Sequence, residues 1–505
     1  MYTPTLDEVR AYAPRFSTIP ICKTVFADLE TPISLHRRLG ERPYSFLLES
    51  AENKGRRGRY SFIGADPLLV FQSTGHQVTI TEKGRERTFA TEDPFQVVKE
   101  LLQKYRSPRY LGYPPFLGGA VGYVGYDAVA LQEPTLLRKE PPRSRDLHLM
   151  FCDRLIIVDH LRQEWIWVIH LHVNPEMTPE MLDRAYEETL AELDRWMEEV
   201  LSREPSFTPL PIAEAVGEVD FDRDPMISNL SKEEYCDRVL RGLEAIRQGD
   251  LFQVVPSQRW EWRNPPPAPE VYRVLRLLNP SPYMYCLTLG DEAVVGASPE
   301  LLVRVSDGKI ETRPIAGTRP RGRDEAEDAA LAAELLKDEK ERAEHDMLVD
   351  LSRQDLGKVS KSGSVQVTEA MTVERYSHVM HLVSHVTGEL REGVDPLEGF
   401  QACFPAGTVS GAPKNRALAK IAELEEESRG VYAGAIGYFS FNGSLDSCIT
   451  IRTIHFQKDS ALIQAGAGVV DGSVPEREYE ESRNKARGLI RALALTEGLF
   501  KPMGR

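Results

Sequence analysis

The stretch GAGVVDGSVPEREYEESRNKA, residues 466–486, sets bare backbone next to a run of carboxylates. Gly466 and Gly468 flank Ala467, and a backbone so lightly clothed can approach a ligand and turn its N–H groups toward an anion. The residues after Pro475 are mostly helix formers. On a helix, Glu478, Glu481 and Lys485 share one face at spacings of three and four. Two carboxylates on one face suit a hard cation, which takes oxygen ligands. A tight turn followed by a solvated helix of ion pairs accounts for the same residues.

A second segment repeats the design. In DEKERAEHDMLVDL, residues 338–351, Glu341 and Glu344 form an i, i+3 pair on an expected helix, with His345 beside them. Between the two acidic segments lie PIAGTRPRG at 314–322, FPAGTVSGAPK at 404–414, and Arg452 in a β-branched run. GTVSGAPK lacks the G-x-x-x-x-G-K-[ST] spacing of a phosphate-binding loop, so nucleotide binding is not expected.

The elements that must hold these residues come from a chain of 505 residues, 41% of them apolar, long enough for two or three domains. A net charge of −15 argues against general nucleic-acid binding and against anionic membrane surfaces. An anionic substrate therefore needs local compensation from Arg, Lys, backbone N–H groups or a metal. The six cysteines stand singly at 22, 152, 236, 286, 403 and 448, with no C-x-x-C pair, which fits a reducing cytoplasm rather than a zinc site or a disulfide framework. No basic-then-apolar leader and no bilayer-spanning run is expected.

Residues 1–205 mix short strand-like runs, such as YSFLLES and RLIIVDH, with turns. They close on a helix opened by Thr178 as cap and Pro179 at its first position, with Leu182, Tyr186, Leu190, Leu193, Met197 and Val200 at helical spacing. The Pro-rich polar stretch 206–228 reads as a linker. Residues 229–505 open with SKEE, a capping box from Ser231 to Glu234, on a helix carrying Tyr235, Val239, Leu243 and Ile246 and ending at Gly249. FQVVPSQRWEW follows as a strand-like run. Strands and helices then mix without regular βαβ alternation, which predicts an α+β fold, a layered sandwich with largely antiparallel sheets.

Taken in order, LLES (47–50), FQVVPSQ (252–258), NPSPYM (279–284), ASPELL (297–302), PIAGTRPRG, the Glu-His of 344–345, MHLVS (380–384), FPAGTVSGAPK, YAGAIGY (432–438), TIRT around Arg452 and the opening stretch resemble the chorismate-utilising enzymes, and among them the anthranilate synthase component I branch. The match runs over nearly the whole chain. It implies a Mg²⁺ ion between the ring carboxylate of chorismate and the two acidic helices, with Glu344 and Glu481 as direct ligands and Glu341 and Glu478 behind them or acting through water. It implies that Gly317 and Thr318 contact the ring-carboxylate side. Tyr432 and Arg452 would grip the pyruvyl carboxylate, joined by backbone N–H groups of Gly466, Ala467 and Gly468 and by the charge of Lys485. Glu300 would protonate the departing ring hydroxyl, a role needing a raised pKa, and His381 would stand near the reacting ring.

Two positions separate the branches. Relatives that add water carry a lysine base where this chain has Gln253, which cannot act as a base and so suits ammonia, already a nucleophile. Aminodeoxychorismate synthases often carry a nucleophilic lysine where this chain has Ala316. The resemblance thus implies conversion of chorismate and ammonia to anthranilate and pyruvate, in tryptophan biosynthesis. Alternatives are aminodeoxychorismate synthase component I and a non-catalytic amino-acid-binding regulator. None of the cysteines, in ICK, FCD, YCD, YCL, ACF and SCI, has the G-x-C-x-G setting of a glutaminase nucleophile. A separate glutamine amidotransferase subunit, component II, is therefore expected to supply ammonia within a hetero-oligomer. The resemblance also implies feedback inhibition by tryptophan, with Ser50 meeting its backbone and Pro282, Tyr283 and Met284 lining an indole slot.

Overall fold

The computed structural model describes the chain except residues 1, 27–28, 52–57, 134, 137–141, 206–220, 222–225, 377–378 and 501–505, and the side chain of residue 500. The linker expected over 206–228 therefore falls largely outside the described residues. Its last three residues, Met226–Ser228, form an edge strand against Trp260–Trp262.

Local signals produce the elements they predict. Ser231 accepts from the Glu234 N–H at 3.2 Å, and the Glu234 carboxylate accepts from the Ser231 N–H at 2.7 Å, closing a capping box on the helix Lys232–Arg247. That helix stops before Gly249, whose φ of +80° a side chain would resist. Thr178 caps Pro179–Ser202, and the periodic apolar residues of that helix face the core, with Leu182, Tyr186, Leu193 and Val200 buried.

Two 12-stranded sheets form the frame, and every strand pair described is antiparallel. The first runs from the N-terminal strands through Tyr44–Glu49, Tyr283–Leu289, Glu292–Ser298, Thr453–Gln457 and Ser460–Gly466 to Ser257–Arg263 and its edge. The second runs from Ile315–Pro320 and Val379–Glu389 through Leu301–Ser306, Leu445–Ile449 and Ala435–Ser440 to Gly119–Val124 and the strands beyond. Both sheets take strands from either side of the expected linker.

The sheets pack face to face over an apolar layer that includes Phe46, Phe116, Tyr123, Met150, Tyr285 and Ile436. Helices cover both outer faces. Pro179–Ser202, Ala268–Leu278 and the C-terminal helix Pro475–Phe500 lie over the first sheet, and Lys232–Arg247, Pro396–Cys403 and Lys414–Leu424 over the second. This is the layered α+β sandwich with antiparallel sheets that the sequence predicts. Each fully buried Phe or Leu in these layers contributes about 1.5–3 kcal/mol.

FQVVPSQRWEW is not one strand. Gln253–Val254 pairs with Gly411 and Ala412, and Ser257–Arg263 joins the first sheet beside Ser460–Gly466. Pro256, which has no N–H for a ladder, stands at the break. The break carries Gln253 off the sheet and toward Gly468.

Candidate active site

The two acidic faces meet. Glu341 and Glu344 lie on Glu339–Gly357, capped by Asp338. Glu478 and Glu481 lie in the first turns of Pro475–Phe500. Burial raises the pKa of Glu344, and repulsion from Glu341, Glu478 and Glu481 adds to the rise against the pull of Lys340. Burial also raises Glu478, with Glu481 adding to it. Four carboxylates from two helices thus feel one another across a cleft. Among the described residues no three acid, imidazole or thiol groups converge as a ready-made metal cage. The donor set fits Mg²⁺, which is commonly held by one or two carboxylates and completes its shell with water and substrate oxygens. His345 belongs elsewhere: it is fully buried, with Nε2 2.6 Å from Ser384 Oγ.

Gly317 lies under the first of these helices with φ at +63°. A Cβ there would come within 3.1 Å of Glu341 Oε2 and 3.0 Å of Leu335, so the strand can pass this close only without a side chain. Thr318 and His381 are register partners. His381 Nδ1 is 3.0 Å from the Gly317 carbonyl and 3.1 Å from Thr318 Oγ1. A proton on Nδ1 satisfies the carbonyl and leaves Nε2 as an acceptor. Burial lowers the His381 pKa; the Gly317 carbonyl opposes that and nearby Arg452 reinforces it.

On the opposite wall Lys485 Nζ donates to the Gly466 carbonyl at 3.0 Å. Arg452 is held in the left-handed region, φ +52°, a conformation costing about 1–3 kcal/mol in a non-glycine residue and concentrated at functional sites. Among the described residues its guanidinium makes one hydrogen bond, to Lys485 O at 3.1 Å, and no carboxylate lies within ion-pair distance. Burial lowers its pKa against the pull of Glu481 and Tyr432. A partly buried guanidinium with so few partners has donors to spare for an anion. Tyr432 stands beside it, its hydroxyl 3.1 Å from where a Cβ on Gly466 would lie; burial pushes its pKa up to about 12 despite nearby Arg429. A Cβ on Gly468 would meet Gln253 Nε2 at 2.7 Å. The Gln253 amide oxygen is buried with no hydrogen-bond partner among the described residues.

Glu300 is 6% exposed. Burial raises its pKa to about 8, while the Thr408 hydroxyl, the Ile315 N–H and the charge of Lys485 pull the other way. A carboxyl that stays protonated at neutral pH is poised to give a proton. The influence of Lys485 ties Glu300 to the Gly466 wall. Glu300, His381, Gln253, Gly317, Thr318, Tyr432, Arg452, Gly466, Ala467, Gly468, Lys485 and the four glutamates therefore form one neighbourhood.

Ser50, Pro282, Tyr283 and Met284 together line a cavity of about 1020 Å³ at the edge of the sheet-to-sheet layer, whose wall also takes in Pro299 and Leu301 on either side of Glu300. Met284 is paired with Glu49 across adjacent strands. The Tyr283 hydroxyl donates to Asp446 at 2.9 Å and accepts from Arg304 at 3.1 Å.

Three features escape the sequence reading. Thr408 sits against Glu300, and only its place in the quoted FPAGTVSGAPK points to it. The buried pair Arg429–Glu425, 2.7 Å apart, holds the Val255 and Val409 carbonyls and the Ser257 N–H, and so fixes the loop carrying Gln253. Tyr376 lines the large cavity and packs its ring 5.6 Å from that of His381.

The chorismate binding enzyme family model matches residues 44–491. Anthranilate synthase component 1 of Acetivibrio thermocellus is 46% identical over 499 residues, covering 98% of this chain and 99% of that protein. The Aquifex aeolicus protein of the same name is 45% identical over 495 residues, covering 98% of each. The crystal structure of anthranilate synthase component I from Streptococcus pneumoniae superposes with a TM-score of 0.69 at 36% identity, over 86% of this chain and 93% of that one. The isochorismate synthase MenF of Escherichia coli, 19% identical with a TM-score of 0.67 over 97% of this chain and 98% of that one, shares the fold. With a cleft of this composition and matches of this extent, the chain belongs to the chorismate-binding enzyme family, in its anthranilate synthase component I branch.

Proposed function

We propose that the chain is the chorismate-aminating component of an anthranilate synthase, a lyase converting chorismate and ammonia to anthranilate, pyruvate and water. The observation that carries this reading is Arg452, strained and nearly without protein partners, facing the acidic cleft across a glycine-lined wall. A substrate with two carboxylates fits between these poles. Arg452 and Tyr432 hold the pyruvyl carboxylate, and the N–H groups of 466–468 assist them. Gly317 and Thr318 meet the ring-carboxylate side. Bound at Glu344 and Glu481, with Glu341 and Glu478 behind them, Mg²⁺ supplies charge neutralisation for the ring carboxylate and draws electron density from the ring.

Ammonia adds to the ring carbon next to the one bearing the carboxylate. Glu300 gives its proton to the departing hydroxyl, which leaves as water, and the new ammonium loses a proton. In the second step the ring loses a proton, the ether bond breaks, and the enolpyruvyl group takes up a proton to leave as pyruvate while the ring becomes aromatic. His381, with Nε2 unprotonated, faces this chemistry. Gln253 supplies no base, and Ala316 no amine for a covalent adduct, which favours direct amination.

Among the described residues no helix is long and apolar enough to cross a membrane, and we infer a cytoplasmic enzyme of tryptophan biosynthesis. A separate glutamine amidotransferase would deliver the ammonia in a heteromeric complex. Tryptophan would bind the Ser50–Met284 cavity as a feedback inhibitor. The test of the function is product analysis. Chorismate, an ammonium salt and Mg²⁺ should yield a fluorescent product with the mass of anthranilate and one equivalent of pyruvate. Aminodeoxychorismate accumulating without pyruvate would refute the assignment.

A further inference from the structure

Behind Glu300 lies a small cavity of about 30 Å³ that the chemistry above does not use. Glu300 and Thr408 line one part of it, Ser352 and Asp355 another, and Leu302, Leu348 and Leu351 wall it in. One water needs about 10–15 Å³ of such space together with polar partners. The Thr408 hydroxyl oxygen is closed off from solvent and meets no described group in hydrogen-bonding geometry, although it stabilises the Glu300 carboxylate at short range. Ser352 Oγ donates to Leu348 O at 2.9 Å, which leaves its lone pairs to accept from a water. Asp355 is buried and ion-paired to Lys414 at 2.6 Å and to Lys358 at 2.9 Å. The Lys358 side chain is 57% exposed, so Asp355 stands between the cavity and solvent.

We propose that this cavity holds water and that Thr408, Ser352 and Asp355 form with it the route by which Glu300 regains its proton from solvent. The proposal rests on Glu300 acting as the general acid. In each turnover Glu300 loses one proton to the leaving hydroxyl and remains a carboxylate. One proton from solvent enters by Asp355 and crosses the cavity water, which Ser352 anchors and Thr408 links to Glu300. The ammonium formed on the ring returns one proton to solvent, so charge balances and no oxidant or reductant is involved. A group as buried as Glu300, with substrate filling the cleft in front of it, has need of a rear entrance. Thr408 and Asp355 are positioning and relay residues that act through Glu300.

The experiment uses the full chain with saturating ammonium and Mg²⁺ and compares Thr408→Val, close in shape but lacking the hydroxyl, with Asp355→Asn. The expected result is a kcat about tenfold lower, a modest share of what a general acid contributes. The KM for chorismate should be unchanged, the solvent deuterium isotope effect on kcat larger, and the alkaline fall in kcat shifted to lower pH. Should Asp355→Asn fail to fold once Lys414 loses its partner, Thr408→Val decides alone. A folded Thr408→Val with parental kcat, isotope effect and pH profile overturns the route. So does a lower kcat with an unchanged isotope effect, the mark of a packing defect. Glu300→Gln separates the two levels. If it stays active, the general-acid reading fails; if it is inactive while Thr408→Val is normal, only the route fails.

Discussion

Lys485 lies 2.8 Å from Glu481 on the same helix face while its ammonium also holds the Gly466 carbonyl. This contact links the carboxylate cluster to the glycine wall. It leaves Glu344, repelled by three other glutamates, as the carboxylate with most to gain from a cation. Glu344→Gln and Glu481→Gln should each lower kcat/KM by at least about a hundredfold, because the Mg²⁺ proposed to bind there would neutralise a substrate carboxylate. Circular dichroism should show both variants folded. Turnover by the parent chain in excess EDTA at its usual rate would contradict the metal's role.

Arg452 tests the anion site. Arg452→Met should raise the KM for chorismate by about ten- to a hundredfold, the equivalent of ~1.5–3 kcal/mol for hydrogen bonds to a charged group. Thermal stability should hold or rise, since a desolvated charge with one hydrogen bond is removed while the left-handed backbone at position 452 is equally strained with Met. An unchanged KM would move the pyruvyl carboxylate elsewhere.

Glu300 sets the pH response. With its pKa raised to about 8 by burial, the proton-donating form prevails below that pH, so kcat/KM should fall on an alkaline limb near pH 8. The same shift affects stability. The folded pKa lies above the unfolded value of about 4.3, so the group's stabilising contribution is complete below the unfolded value and is lost as pH rises to about 8. Glu300→Gln should abolish turnover yet melt higher than the parent at pH 9. Equal melting temperatures there would mean that the carboxyl is not held neutral by the fold.

The cavity lined by Ser50 and Met284 calls for a ligand titration. Ser50→Phe should make activity insensitive to tryptophan and leave uninhibited kcat close to the parent's. Tryptophan should bind without competing directly for the chorismate pocket, its effect being a reciprocal coupling between sites. Competition confined to the chorismate pocket, or undiminished inhibition of Ser50→Phe, would remove the regulatory assignment.

Ammonia supply is a simple comparison. All six cysteines are free, and five are buried; burial pushes the Cys403 and Cys286 thiols up to about 12, far from a reactive thiolate. The purified chain should make anthranilate from ammonium salts and none from glutamine. Glutamine-dependent product from the isolated chain would require a nucleophile not identified in it.

What the sequence reveals about the fold is local. The Ser231–Glu234 box, the Thr178–Pro179 start and the acidic faces at i, i+3 and i+4 are legible because every partner lies within a turn of helix. Pro256 could have disclosed the break in FQVVPSQRWEW. Strand order could not be read, because pairings such as Glu49 with Met284 join distant segments. The site splits along the same line. Bare glycines and paired glutamates point to an anion and a cation from their own spacing, and the family resemblance assigns the remaining roles. Thr408 and the contacts of the Arg429–Glu425 pair with Val255 and Ser257 stay hidden because those partners arrive from remote stretches of chain; Tyr376 is only five residues from His381, but no helical spacing marks that contact. An isolated Thr, Tyr or Arg carries no sign of that.

The interleaving of early and late strands bears on how the molecule is made. Glu49 must find Met284, and Val124 must find Ala435, before either sheet is continuous. Such long-range closures are slow compared with helix formation. Until the later strands leave the ribosome, Tyr44–Glu49 and Gly119–Val124 each lack a neighbour and expose an apolar edge that can pair with another chain. Excision at 206–228 would leave both fragments in that condition permanently. Separately expressed halves should therefore aggregate, and recover only when co-expressed.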